Sequence, residues 1–221
     1  MFTPVYFSEM KGGKRKQTQW RRNRKTAYRG SRIHFNRTLI DSSKTLKEEG
    51  FVVDQFLRKD NPEKPSKKEI KEAFEYLKKH EIPINFPEKK LSHQTKTDSA
   101  RAVLKKAKLA QTIDWVYNTN LEKEHIIKKE AGNYYFVFEN NLTVTYIHEV
   151  EEQAYLNSFF PSQNREASAQ LSKMIPKSGR IQINQEGILN PSTGIIYEGY
   201  WSFEKLAHSL PDNYRIVNVN K

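Results

Sequence analysis

No cysteine occurs anywhere in the 221 residues. That excludes disulfides, thiolate nucleophiles and Cys-ligated zinc, and it leaves histidine and the carboxylates as the only metal ligands to consider. Long apolar runs are missing as well. No stretch approaches the ~18 apolar residues of a membrane span, and "MFTPVYFSEM" lacks the apolar core of a signal peptide. These readings predict an intracellular protein, cytoplasmic or nucleoid/nuclear, with no membrane partner. Familiar catalytic signatures are absent too. There is no phosphate-loop glycine pattern, no Gly-x-Ser-x-Gly elbow and no His-Glu-x-x-His. Glu130, Glu139 and Glu149 lack the lysine two residues on that a nuclease strand pair would carry.

A fourth absence is local. Between Lys11 and Arg37 there is no acid, while seven Arg and four Lys fall there. This segment holds +11 of the formal net charge of +12, so the other 194 residues carry only +1. Charge concentrated in this way makes a local field that attracts a polyanion. The excess of Arg favours forked hydrogen bonding to phosphate over attraction to a point charge.

The segment reads as a flexible basic arm, residues 1–40, that grips DNA or RNA. Its candidate binding residues are Lys14, Arg15, Lys16, Trp20, Arg21, Arg22, Arg24, Lys25, Tyr28, Arg29, Arg32 and Arg37. Trp20, Tyr28 and Phe35 are interleaved with the cations, and faces available for stacking would favour unpaired strands. Gly12, Gly13 and Gly30 argue against an amphipathic membrane helix. Two basic clusters, at 14–16 and 21–25, also fit a nuclear address.

The remainder, 41–221, reads as an α+β body: a helical N-terminal half packed with an antiparallel β-sheet in the C-terminal half. A sub-boundary falls near 95 or 130. Hydrophobic residues make up 36%, which is low, but aromatics reach 12%, more than a disordered chain would carry. A helix is expected over 66–80, with Ser66 and Glu69 as a capping box. Others are expected at about 43–49, from Asp98 to about Tyr117, over "HEVEEQAYLN" and "REASAQLSKMI", and after Ser202. Period-two patterning predicts hairpins at 133–147 and 187–201, a strand at "GRIQIN" and a last strand at "YRIVNVN".

Two places combine titratable and aromatic groups. "HEVEE" sets His148 beside Glu151 and Glu152, and "IYEGYWSFEKLAHSLPDNY" holds Tyr197, Tyr200, Trp201, Glu204, His208 and Asp212. His148, Glu151, His208 and Asp212 are the candidate catalytic residues if the chain is a nuclease. No cofactor is required by the pattern, although such an enzyme would use a divalent metal to activate water. A solvated helix face is the simpler reading of each histidine–acid pair. The sequence therefore points first to a nucleic-acid-binding protein, then to a nuclease, and third to a structural subunit of a ribonucleoprotein. DNA versus RNA and the oligomeric state are left open.

Overall fold

A computed structural model describes residues 7, 8, 10–84, 95–161, 165–177, 179–204 and 210–216. The fold is α+β, with helices mostly in the N-terminal half and two antiparallel sheets that take most of their strands from the C-terminal half. Two compact units divide the chain. One joins residues 1–56 to 116–221, and the other is the intervening 57–115.

The larger unit begins with α1 (Lys14–Tyr28) and α2 (Arg32–Ile40). Its strands include β5 (Asn141–Val150), β6 (Ala169–Pro176) and β9 (Ile195–Gly199), with α5 (Gln153–Phe159) after β5 and α6 (Tyr200–Phe203) after β9. β1 (Phe51–Asp60) and β2 (Thr112–Asn118) complete a five-stranded sheet in the order β2-β1-β5-β6-β9. The boundary between the units passes through β1 and β2. A second sheet, β3-β4-β7-β8, is formed by Ile127–Glu130, Asn133–Phe136, Gln182–Ile183 and Leu189–Asn190.

Period-two alternation sends Phe51 and Val53 of β1, Leu142, Val144 and Tyr146 of β5, and Met174 of β6 to one face. Phe35 and Leu39 of α2, Trp201 of α6, and Ile183 and Leu189 of the second sheet join them in one core. The register between β5 and β6 shifts after Tyr146, where the strand next pairs at Val150 with Ala169. That irregularity separates Tyr146, which is buried, from the more exposed His148 and Glu149.

The smaller unit contains α3 (Lys67–Lys79) and α4 (Lys96–Lys106). Ala73, Leu77 and Ala100 form its core, with Tyr76, Ile82, Val103 and Leu104 packed against them. The expected capping box is present: Ser66 Oγ accepts from Glu69 N–H at 3.2 Å, and the Glu69 carboxylate accepts from Ser66 N–H at 2.7 Å. At the strand ends, the Arg58 guanidinium grips both oxygens of Asp114, at 2.7 and 3.0 Å. Lys59 lies 4.0 Å over the Trp115 ring.

Several expectations are corrected. Within the stretch read as a flexible basic arm, residues 14–28 and 32–40 form two helices, and α2 is part of the core, because Phe35 and Leu39 recur on its inward face. Residues 42–50 form turns, with Thr45 and Glu48 hydrogen-bonded to each other. The helix begun at Lys96 stops at Lys106, and Thr112–Asn118 is a strand. "REASAQLSKMI" gives strand β6, whose inward residues Gln170, Ser172 and Met174 alternate. The strands of both expected hairpins exist, but each pair is split between the two sheets. β4 pairs with β3 and β7 while β5 pairs with β1 and β6, and likewise β8 pairs with β7 but β9 with β6. A short loop between two alternating runs can close a hairpin or turn a corner from one sheet to another across a shared core. The last expected strand falls largely outside the described residues.

Candidate nucleic-acid interface

Seven cations and no acid lie within α1. Lys14, Arg15, Lys16, Arg21, Arg22 and Lys25 are exposed, and among the described residues none of these six is ion-paired. At 100° per residue, Lys14, Arg15, Arg21, Arg22 and Lys25 project within a sector of about 120°. Thr18 lies inside that sector, its hydroxyl donating back to Lys14 C=O at 3.0 Å. Beyond the Arg21 border of that sector follow Tyr28, Arg24 and Trp20, which are wholly or partly buried. Lys14–Lys16 occupy the first turn, where the helix dipole is itself positive, and Gly13 supplies no side-chain cap. The N-terminal end of α1 is therefore unusually cationic.

The aromatic residues of the segment hold structure. Trp20 stacks on the backbone of Gly12, where a Cβ would come within 2.7 Å of the indole. Tyr28 is buried between the His34 and Tyr214 rings, at centroid distances of 5.0 and 5.7 Å. Phe35 has no exposed surface. Tyr28 and Phe35 present no free face for a base, and Trp20, which is partly exposed, is the one ring of the three left near the surface.

The break between α1 and α2 is built by local chemistry. Gly30 has φ +70°, and a Cβ there would meet the Tyr146 ring at 2.6 Å. Both conformation and space require glycine. Ser31 caps α2 by accepting from His34 N–H at 3.2 Å. Gly30 N–H donates to His34 Nδ1 at 3.1 Å, which puts the ring proton on Nε2, facing the Glu49 carboxylate at 2.8 Å. Burial holds the His34 pKa below its usual 6.5, outweighing the pull of Glu49. Gly30 C=O in turn accepts from Trp201 Nε1 at 2.7 Å.

The cations beyond α1 have other surroundings. Arg29 is exposed at the helix end, and Arg32 lies 4.9 Å over the Tyr197 ring. Arg37 is buried and donates to three backbone carbonyls: Glu186 at 2.8 Å, Tyr214 at 2.6 Å and Asp212 at 2.5 Å. Arg37 and Tyr28, which residue type alone assigns to nucleic acid, are both committed to the interior.

The candidate catalytic residues do not form one constellation. His148 is exposed and packs edge-on to Tyr146 at 5.6 Å. Glu151 is buried and accepts from Arg165 at 2.6 Å and from Ser168 N–H and Oγ–H at 3.1 and 3.0 Å, which ties the loop before β6 to the end of β5. Asp212 contributes its backbone carbonyl to Arg37, and His208 lies outside the described residues. Among the described residues no group of three His, Asp or Glu is placed to hold a metal ion.

The two acid-rich segments nevertheless meet at a point the sequence could not indicate. Tyr155 of α5 packs on Tyr200 of α6 at 5.2 Å. Glu204 is pushed up to about 8, first by burial, with the charge of Arg32 pulling it back and that of Glu152 adding to the rise. Burial also raises Glu149, opposed by the charge of Arg29 and reinforced by Glu152. Glu149, Glu152 and Glu204 thus share a field with Arg29 and Arg32 at the junction of α1 and α2. Glu152 and Glu204 belong to the two segments singled out in the sequence, but their proximity depends on β5 and β9 flanking β6.

No protein-family model, curated protein or solved structure matches this chain.

Proposed function

We propose that the chain binds nucleic acid, double-stranded in preference to single-stranded, by laying the exposed face of α1 against phosphates. The observation that supports this reading is the sector of Lys14, Arg15, Arg21, Arg22 and Lys25 on a helix with no acid. Fifteen residues extend about 22 Å, and a helix about 10–12 Å across fits a major groove about 12 Å wide. Duplex DNA offers one phosphate per ~1.7 Å of axis, so α1 has more phosphates within reach than cations to meet them. Two of the three aromatics of the segment, Tyr28 and Phe35, are buried, which reduces the stacking platforms that single strands require. Such binding would operate wherever nucleic acid is available, in cytoplasm, nucleoid or nucleus.

The test is a salt titration of binding to matched duplex and single-stranded probes. Replacing Lys14, Arg21, Arg22 and Lys25 together by Gln should flatten the log–log salt slope by up to about 3.6, roughly 0.9 for each phosphate no longer neutralised. A variant that keeps the native affinity and slope rules out the α1 interface. Tighter binding to single strands removes the duplex preference.

A processing role is the second reading. It is favoured by Glu149, Glu152 and Glu204 lying in the field of Arg29 and Arg32, next to the proposed interface. Cleavage of a labelled duplex in Mg²⁺, abolished in Glu152→Gln and Glu204→Gln while binding persists, would support it. Intact probe under every condition removes it.

A further inference from the structure

A cavity of about 220 Å³ opens beside the end of α1, with Tyr28, His34, Arg37, Asp41, Lys44 and Arg215 among its lining residues. We propose that this cavity is a binding site for a phosphate monoester group. The inference is separate from duplex binding by α1 and does not depend on it.

Charge is the first argument. Arg37 is buried, and among the described residues it has no carboxylate partner. Three of its five N–H groups are spent on backbone carbonyls, which satisfy donors but do not neutralise a cation. Lys44 is held by Glu49 at 2.8 Å. Lys123 Nζ stands close by, donating to the carbonyls of Asp41 and Lys44 at 2.8 and 2.7 Å. Among the lining residues three cations, Arg37, Lys44 and Arg215, accompany one carboxylate, Asp41. The excess of two positive charges matches a phosphate monoester, which carries close to two negative charges at neutral pH.

Chemistry of the wall is the second argument. Asp41 Oδ1 already accepts from Ser43 N–H and Oγ–H at 2.9 and 2.7 Å, so it is turned to its own loop. His34 has both ring nitrogens engaged, Nδ1 by Gly30 and Nε2 by Glu49. The cationic donors for an incoming oxyanion are those of Arg37, Lys44 and Arg215, the last also donating to Tyr214 C=O at 3.1 Å, and the Gln185 amide lines the same cavity. A forked guanidinium with an ammonium is the usual pairing for phosphate oxygens. Size is the third argument. The volume equals about seven waters and falls below the ~300–1,000 Å³ of pockets that enclose a whole drug-sized molecule. The phosphate group enters, and whatever carries it remains outside.

Calorimetric titration of the full chain with inorganic phosphate tests this directly. Saturable binding is expected in the millimolar range or tighter, within about 10 mM. Lys44→Gln combined with Arg215→Gln, both of which leave the buried Arg37 in place, should weaken it at least about tenfold. Lys67→Gln, on α3 of the smaller unit, should not change it. No saturation by about 10 mM, an equal response to chloride, or unchanged affinity in the double variant would each overturn the proposal. Two further ligands identify the source of the group. Tighter binding of adenosine monophosphate than of phosphate points to free mononucleotides. A gain from a 5′-phosphate over a 5′-hydroxyl on the same duplex points to strand ends. Either gain supports the site, and it must vanish in the double variant.

Discussion

Two consecutive helices, α1 and α2, come from one acid-free stretch of sequence and meet opposite fates. In α1 six of the seven cations are exposed and one residue, Tyr28, is buried. In α2 six of nine residues are buried, among them His34, Asn36 and Arg37. Both are acid-free and positively charged, α1 with seven cations and α2 with two. What differs as well is the apolar content: Phe35, Leu39 and Ile40 give α2 a face that the core can take up, and its polar residues follow them inside. Once buried, each must be satisfied. Asn36 donates to Gly187 C=O at 2.8 Å, Arg37 to three carbonyls, and His34 to Glu49. A run of basic residues therefore specifies a surface only as far as its apolar periodicity leaves it outside.

The largest expected contrast between the two helices is in stability. Phe35→Ala should cost about 3–5 kcal/mol, as for other buried aromatics. Trp20→Ala, on a ring packed over Gly12 but partly exposed, should cost about 1 kcal/mol. Urea denaturation followed by circular dichroism measures both, and similar losses would mean that α1 is as integral as α2. Next comes the pair Arg37→Ala and Arg21→Ala. The first removes the buried donor of three part-buried carbonyls and should cost about 1–3 kcal/mol. The second should stay within about 0.5 kcal/mol while weakening duplex binding. Reversal of that order would undo the division of labour between buried and exposed arginines.

Much of this organisation is legible in the residues, but unevenly. The α+β class, the helix at Ser66 and its capping box, and most strands follow from periodicity and cap chemistry, which are local. Sheet membership is not local. "NYYFVF" and "LTVTYI" look like two arms of a hairpin, yet they join different sheets because the core they share lies between them. The acid cluster is legible only as two unrelated segments, since Glu152 and Glu204 approach through the order of strands. Arg37 and Tyr28 mislead for the same reason as the hairpins: a residue's type is visible in the sequence and its burial is not. The α2 pattern of Phe35 with Leu39, four apart, is the available sign that the basic stretch turns inward after Gly30.

Protonation separates the junction from its surroundings by a smaller amount. Glu204 has its pKa raised from 4.5 to about 8, so the folded state holds a proton that the unfolded state releases. Its contribution to stability is complete below pH 4.5 and is lost as pH rises through about 8. His34 has the opposite sense. Its pKa lies below 6.5 in the folded state, so its contribution is present above pH 6.5 and is lost on acidification. Each slope is limited to about 1.4 kcal/mol per pH unit, the value for one proton. Glu204→Gln should remove the decline on the alkaline side and leave the acidic side, and His34→Gln should do the reverse. Unfolding free energies measured from pH 5 to pH 8.5, about the two relevant limits, provide the comparison. An alkaline limb that survives in Glu204→Gln would show that another group carries it.

The smallest effect separates what α1 needs as a helix from what its surface is for. Lys14, Arg15 and Lys16 stand at the positive end of the helix dipole, with no side-chain cap at Gly13. An acid there would suit the helix better by about 0.3–1 kcal/mol. Lys14→Glu should therefore slow amide exchange in the first turns of α1 and, at the same time, weaken duplex binding. A bound phosphate would supply the same favourable charge, so the native chain should gain protection in those turns on adding duplex, and Lys14→Glu should gain less. If Lys14→Glu instead improves both helix protection and binding, the cations of the first turn do not face the phosphates. The interface then shifts along α1 towards Arg21, Arg22 and Lys25.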